Sequence, residues 1–476
     1  MFSKTCDQVI QSSILFLIVF APLSFGAVET WASHLVKTLI LLSLAAWLLK
    51  SASQRDFRLV LPPFLFTFSL FLVLVLLQLT PLPSSWISLL SRFPAGHRDN
   101  FHLLHDNWNS LTINPTATVT AFSNLLTYFA FCLLLLNNFL TREKVMSVLT
   151  TLMALGGFEA LYGLIEYWSG HQHIFWHKKV FYTQEVTGTY INHNHFAGLM
   201  ELIIPLAIGM LILEFSRNSE SGENNLLPGT ETRPWRVHWK LTSLLLTVGL
   251  MFLALLLSKS RAALMCTVAS LLFLAYCLRK QKVKYARFLL IAFLATSLIV
   301  VLTIKFDRDV FDRFSWVDDE ARIRLDLWQD CWKIVRDFPL WGSGLGTFAE
   351  VIPHYRPQKD YIKVSGIPQL ASWSHAHNDY LQLLIECGGA GLLALIWGSI
   401  RTGRQVLSGL AHTEDFEAAT IGYSLLSGMI ALLLHSFVDF NFHIPANALL
   451  FCVCLSLCLI FSRGKGLSPS TLVHKT

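Results

Sequence analysis

The chain has 476 residues, of which 53% are hydrophobic and 14% charged, and its mean hydropathy is +0.51. That is more apolar surface than a soluble domain needs for its core, so the composition excludes an ordinary water-soluble enzyme and points to a polytopic membrane protein. The formal net charge of +6 suits a membrane protein with basic loops and does not by itself call for nucleic acid.

Apolar runs of roughly 17 to 25 residues recur along the chain, each long enough to cross a hydrocarbon core as a helix. The spans of a β-barrel would be shorter and would alternate, so the pattern is all-α. About twelve spans are predicted, near residues 10–27, 33–49, 63–80, 119–140, 146–168, 196–215, 239–257, 262–278, 287–304, 378–399, 417–434 and 445–461. Residues 1–186 form an N-terminal group of spans, 187–461 a second unit with a large loop at 305–376, and 462–476 a tail. The first run lacks a small-x-small cleavage site and reads as a retained anchor helix.

Lys and Arg set the orientation. With the N-terminus inside, the inner loops and tail carry twenty of them, against seven in the short outer loops and span ends, so both termini are expected on the cytoplasmic side. Histidines go the other way: of seventeen, only His238, His412 and His474 fall on the inner side. Most of the nine cysteines lie in apolar runs and read as small hydrophobes; Cys331 and Cys387 could face an oxidising compartment, but sequence does not specify their pairing.

Three outer segments stand out. Residues 81–117 are polar and turn-rich. Residues 169–195 run into Thr187-Gly188-Thr189-Tyr190-Ile191-Asn192-His193-Asn194-His195, where His193 and Asn194 are candidate substrate contacts. The third, 305–376, holds an amphipathic helix in which Leu325, Trp328, Trp332 and Val335 recur at spacings of three and four, with Asp326, Gln329, Asp330 and Lys333 opposite. Pro339 and Gly342-Ser343-Gly344-Leu345-Gly346 stop it, and such a helix could lie on the membrane surface and roof a cavity. These glycines read as turn and packing residues, since the segment is no Walker loop.

The side chains suited to chemistry cluster on that outer side. Arg261, in Ser258-Lys259-Ser260-Arg261, sits in a tight turn between two spans on the face that otherwise avoids positive charge; snorkelling to lipid phosphates is the bland alternative. Arg322 and Arg324 open the amphipathic helix, where a guanidinium can grip phosphate oxygens bidentately or simply pair with Asp318, Asp319 or Glu320. His377, Asn378 and Asp379 stand at the mouth of the tenth span, a costly place for polar groups unless they act. His375 is less suited, because residues two apart on a helix point to different sides. The pairs His171/His173, His193/His195 and His375/His377 raise the question of zinc, but their spacing fixes no ligand set and no metal is assigned. Asp439 and Asn441, between the last two spans, could line the same cavity or form a polar turn.

His377-Asn378, then nine residues, then Gly388-Gly389-Ala390-Gly391 resembles the signature of the O-antigen ligases. The blocks Thr187 to Gly198, Ser258 to Ala263, Arg322 to Tyr355 and His435 to Asn447 also look like that superfamily, which includes O-antigen polymerases and bacterial protein O-oligosaccharyltransferases. The resemblance implies a GT-C-like membrane glycosyltransferase of the bacterial inner membrane. It would transfer a glycan from an undecaprenyl-pyrophosphate-linked donor to a hydroxyl of lipid A core at the periplasmic face, inverting the anomeric centre and using no cofactor or metal. On this reading His377 is the base, Arg261 and Arg322 hold the pyrophosphate, and Arg324, Asn378, Asp379, His193, Asn194 and Asp439 contact substrate. A polymerase, a protein transferase, and more remotely a transporter or flippase of lipid-linked sugar are the rival readings. The last would tend to show inverted repeats or broken midplane helices, and the sequence shows neither.

Overall fold

The computed structural model describes residues 2–53, 59–90, 108–224, 234–280, 308–356, 361–364, 367–370 and 373–463. Among them are fourteen α-helices: α1 Phe2–Leu23, α2 Thr30–Ala52, α3 Leu65–Leu79, α4 Ser84–Leu90, α5 Pro115–Asn138, α6 Arg142–Ser169, α7 His193–Asn224, α8 Pro234–Leu257, α9 Arg261–Lys280, α10 Arg308–Asp337, α11 Phe348–Tyr355, α12 Asp379–His412, α13 Phe416–His435 and α14 Pro445–Phe461. Nine of these are long and apolar enough to cross a membrane, and α3 and α14 are shorter apolar helices. Together they fall on eleven of the twelve predicted spans. The remaining one, 287–304, lies outside the described residues, as does most of the predicted tail.

Three two-stranded antiparallel hairpins decorate the bundle: Leu82–Pro83 with Trp108–Asn109, His173–Ile174 with His177–Lys178, and Tyr361–Val364 with Ile367–Leu370. The helices start where the sequence supplies caps. Asn114 accepts from the Ala117 amide ahead of Pro115, Thr141 from Lys144, Asn378 from Leu381, and Asp415 from Glu417 and Ala418.

Two helices, α7 and α13, form the centre of the bundle. They pack on each other, and α7 also meets α6, α8 and α9, while α13 also meets α9 and α14. Close approach is possible because small residues face across the contact: a methyl at Gly209 would strike Ser424, and one at Gly428 the Leu202 carbonyl. The other helices leave one face to lipid, which accounts for exposed Leu41, Leu42, Val73 and Leu246.

The two poles of the bundle differ in chemistry. One carries carboxylate–cation pairs: Lys50–Asp7, Arg142–Glu417 and Arg217–Glu417, each at 2.7 Å, and Lys240–Glu214 at 2.6 Å. The other, about 30 Å away along α7, gathers the histidines.

The amphipathic helix is present as α10, and of the expected stripe Trp328 and Val335 are partly buried against its core. Leu327, Cys331 and Ile334 face Phe338, Phe348, Val351, Ile352, Leu381 and Ile385, while Leu325 and Trp332 are 54% and 52% exposed. The buried face is thus rotated relative to the expected stripe and keeps half of it, because α11 and α12 pack on the side that carries Leu327, Cys331 and Ile334. All nine cysteines are free, and Cys331 and Cys387 are both buried.

Candidate active site

The segment leading into α12 is tied down on three sides. Trp328 of α10 donates its indole N–H to the Ala376 carbonyl at 2.8 Å, the Ala376 amide donates to Gln382 Oε1 at 3.1 Å, and the Asp379 amide donates to the Ser436 carbonyl at 2.9 Å. Between these ties His377 adopts a left-handed backbone, φ +50°, uncommon for a residue with a side chain. The helix begins only at Asp379, so His375 and His377 lie on an irregular strap. The argument from helical spacing against His375 therefore does not apply. Both rings pack on Phe440, His375 stacked at 4.3 Å between centroids and His377 edge-on at 4.8 Å; His195 meets the same ring edge-on at 4.6 Å.

Beside Phe440 lies Asp439, 1% exposed. Its Oδ1 is 3.7 Å from His195 Nε2 and 3.8 Å from His377 Nδ1, and its Oδ2 is 4.0 Å from His435 Nε2. Burial alone would raise the Asp439 carboxyl; the imidazoles of His195 and His377 and the charge of His435 overcome it and hold the group well below the usual carboxylate range. His435 continues inward to Glu201 of α7, Nδ1 to Oε1 3.1 Å, with both side chains within 1% of full burial.

A second polar chain runs down α12. Asp379 Oδ1 is 2.7 Å from His443 Nδ1, His443 Nε2 is 3.0 Å from Gln382 Nε2, and Gln382 also donates to Glu386 Oε1 at 3.0 Å. Glu386 accepts the Gly346 amide at 2.7 Å. Burial opposes protonation of His443, but the bond to Asp379 and the nearby Glu386 raise its pKa. His375 is pushed the other way, down to about 3, by burial and then by the charges of His443, His377 and His195, which leaves it a neutral imidazole.

The glycine signature of the sequence has a structural explanation. Gly388 sits at φ +63°, ψ −171°, breaking the helix, and a Cβ there would strike the Leu340 carbonyl. The break frees backbone groups that pair with the Pro339–Gly344 segment: Gly389 and Ala390 amides donate to the Pro339 and Leu340 carbonyls, and Ser343 and Gly344 amides to Ile385 and Glu386. Gln78 of α3 donates to both the Trp341 and Glu386 carbonyls. The two motifs are halves of one backbone clamp that holds α10 and the strap over α12.

Helix starts converge on this pole. His193 Nδ1 is 2.7 Å from the Ser258 carbonyl, which joins the start of α7 to the turn before α9; Asn447 of α14 donates to the His195 carbonyl at 3.0 Å; and Asp379 of α12 reaches His443 just before α14. Buried Glu159 accepts the Thr189 amide and hydroxyl at 2.9 and 2.6 Å, fixing the loop that enters α7. Four positive helix ends thus share one region, an environment suited to an anion.

Several predicted residues fall within this neighbourhood. His377, Asp439, Asn378 and Asp379 share one neighbourhood, whereas His193 turns to the Ser258 carbonyl and half-buried Asn194 donates its amide to the Asn192 side chain. Asn378 and Asp379 are engaged as cap and as His443 partner, which gives them positioning roles in this structure. Arg261 is exposed at the first residue of α9, one turn from the His193 contact. Arg324 donates to the Val438 carbonyl at 3.1 Å, next to Asp439. Arg322, two residues earlier on the same helix, is exposed on another face.

Sequence reasoning passed over His195, His435, His443 and Glu201 as catalytic-site members. The signal for Glu201 was available: a lone carboxylate inside an apolar run is itself a functional flag. His435 and His443 stand four residues either side of Asp439 in the sequence, while the contact of His195 with Asp439 and that of His443 with Asp379 come from tertiary packing. Among the described residues no three His, Cys, Asp or Glu side chains are grouped to hold a metal ion.

No curated protein matches the chain. Residues 246–396 match a protein family described as O-antigen ligase. That stretch runs from α8 into α12 and contains Arg261, Arg322, Arg324 and the His377–Asp379 strap; His193 and Asp439 lie outside it. The match supports membrane glycosyl transfer of the ligase or polymerase type, with a lipid-linked glycan donor and a glycan acceptor. Through residues 246–396, about a third of its length, the chain is similar to the O-antigen ligase family.

Proposed function

We propose that the chain transfers a glycan from undecaprenyl pyrophosphate to a hydroxyl of a lipid A core sugar at the periplasmic face of the inner membrane, with inversion at the anomeric carbon. The observation that carries this reading is His377 beside buried Asp439, at the pole where four helix N-termini converge. With Nδ1 turned to the carboxylate, the Nε2 of His377 is the nitrogen left to accept a proton, the carboxylate–imidazole logic of many acyl-transfer enzymes.

In the proposed reaction the acceptor hydroxyl gives its proton to His377 Nε2 as its oxygen attacks the anomeric carbon. The bond from that carbon to the pyrophosphate oxygen breaks, and its electron pair stays on the pyrophosphate. Leaving requires positive charge more than an acid. Arg261 and Arg322 are the proposed cations, with the helix ends behind them, and Arg324 is held near enough to Asp439 to serve the same anion. His193, Asn194, Asn378, Asp379 and Asp439 would shape the sugar-binding side. The chemistry asks for neither metal nor nucleotide, so activity is expected to survive EDTA.

The test uses purified protein, an undecaprenyl-pyrophosphate-linked O-antigen repeat as donor and lipid A core lacking O-antigen as acceptor, with release of undecaprenyl pyrophosphate measured. Loss of a general base typically costs 10²- to 10⁴-fold, so His377→Gln is expected to lower kcat by about that factor while the protein stays monodisperse. Full activity in that variant would remove His377 from the role. Product that grows by repeat units without lipid A core would favour a polymerase instead.

A further inference from the structure

We infer that Glu201 and His435, both outside the matched family stretch, are positioning residues that hold Asp439 as the anionic partner of His377. The inference rests on the proposed function above. It starts from four groups in series: Glu201 Oε1 to His435 Nδ1 3.1 Å, His435 Nε2 to Asp439 Oδ2 4.0 Å, and Asp439 Oδ1 to His377 Nδ1 3.8 Å.

A carboxylate buried as deeply as Asp439 is costly unless opposite charge stands beside it. Its other close neighbours are His195 and His377, at 3.7 and 3.8 Å, and a base accepts a proton only from its neutral form. Glu201, placed one layer deeper in α7, supplies the missing condition: it stands against Nδ1 of His435, so the ring lies between two carboxyl groups with its Nε2 facing Asp439. The second oxygen of Glu201 is buried without a hydrogen-bond partner, so the contact from Oε1 to His435 Nδ1 is what ties this carboxyl group to its surroundings.

The groups facing the pair are accounted for. Asp439 lies above His435, and Arg324 of α10 reaches the adjacent Val438 carbonyl from the opposite side. Cys266 of α9 interacts electrostatically with Glu201. The α12 start contributes the Asp379 amide, bonded to the Ser436 carbonyl, and the Tyr380 hydroxyl, which donates to the Leu433 carbonyl at 2.7 Å.

Two opposed pH shifts follow. Removing Glu201 as a charge lets His435 become neutral, so Asp439 exerts its full negative field on His377, and protonation of the base sets in at higher pH. Removing Asp439 itself has the opposite sign. In the same assay, the acid limb of the kcat/KM profile is expected to move up by about half to one unit in Glu201→Gln and down in Asp439→Asn, with kcat in Glu201→Gln lower by about tenfold. Glu201→Asp keeps a carboxylate and should restore the limb toward wild type, which a role in packing alone would not do. If Glu201→Gln fails to fold, His435→Gln reads the same upward shift. A folded Glu201→Gln protein with an unmoved limb overturns the inference while leaving the proposed function intact. Activity in His377→Gln overturns the function and this inference with it.

Discussion

At the residue scale, His375 illustrates how burial decides a histidine's role. Its neighbours are other imidazoles and the face of Phe440, so protonating it would place charge in a confined apolar site. The sign of the consequence is definite. With a folded pKa near 3 and a free value near 6.5, the unfolded chain binds a proton between those values and the folded chain does not. Stability from this group is therefore complete above about pH 6.5 and falls as pH drops, by about 2 kcal/mol at pH 5. His443 contributes with the opposite sign, its raised value stabilising the fold at low pH and fading as pH rises through it. Thermal unfolding in detergent at pH 7 and pH 5 should show a smaller loss on acidification in His375→Phe than in wild type. An equal loss would mean that His375 is not the group responsible.

At the element scale, the clamp between α12 and Pro339–Gly344 explains why one glycine cannot be changed cheaply. At φ +63°, ψ −171° a side chain is both strained and directed into the Leu340 backbone. Gly388→Ala should cost about 2 kcal/mol or more and lower the thermal midpoint. Gly389→Ala, whose added methyl would stand 3.3 Å from the Pro339 carbonyl, should cost clearly less. Equal effects would argue against the clamp as the reason for the motif. The same clamp carries α10, whose Trp328 holds the strap bearing His377. A loosened clamp should therefore reduce kcat along with stability.

At the scale of the whole molecule, the orientation expected from Lys and Arg in the loops would put the histidine pole on the outer side. Lys178, exposed on the hairpin beside the histidine pole, and Arg404, exposed on the far part of α12, offer a direct check. In intact spheroplasts Lys178→Cys is expected to react with a membrane-impermeant maleimide. Arg404→Cys should react only after permeabilisation. The reverse pattern would invert the topology and place the candidate site on the cytoplasmic side.

Span positions were legible in the sequence because each reports a local quantity, the hydropathy of about twenty consecutive residues, and lipid makes that quantity decisive. The cluster at His377, the tight turn at Arg261 and the glycine motif were legible for a similar reason: polar or conformationally special residues at the edge of an apolar run stand out without knowledge of their partners. What only the tertiary structure decided is pairing across distance. Asp439 meets His377 from 62 positions further along the chain, and Glu201 reaches His435 across 234. Such contacts depend on how α7, α13 and α12 pack, and on which stripe of α10 faces inward. Those outcomes follow from close approach at small residues and from a helix broken at Gly388, neither of which any single stretch of residues reveals.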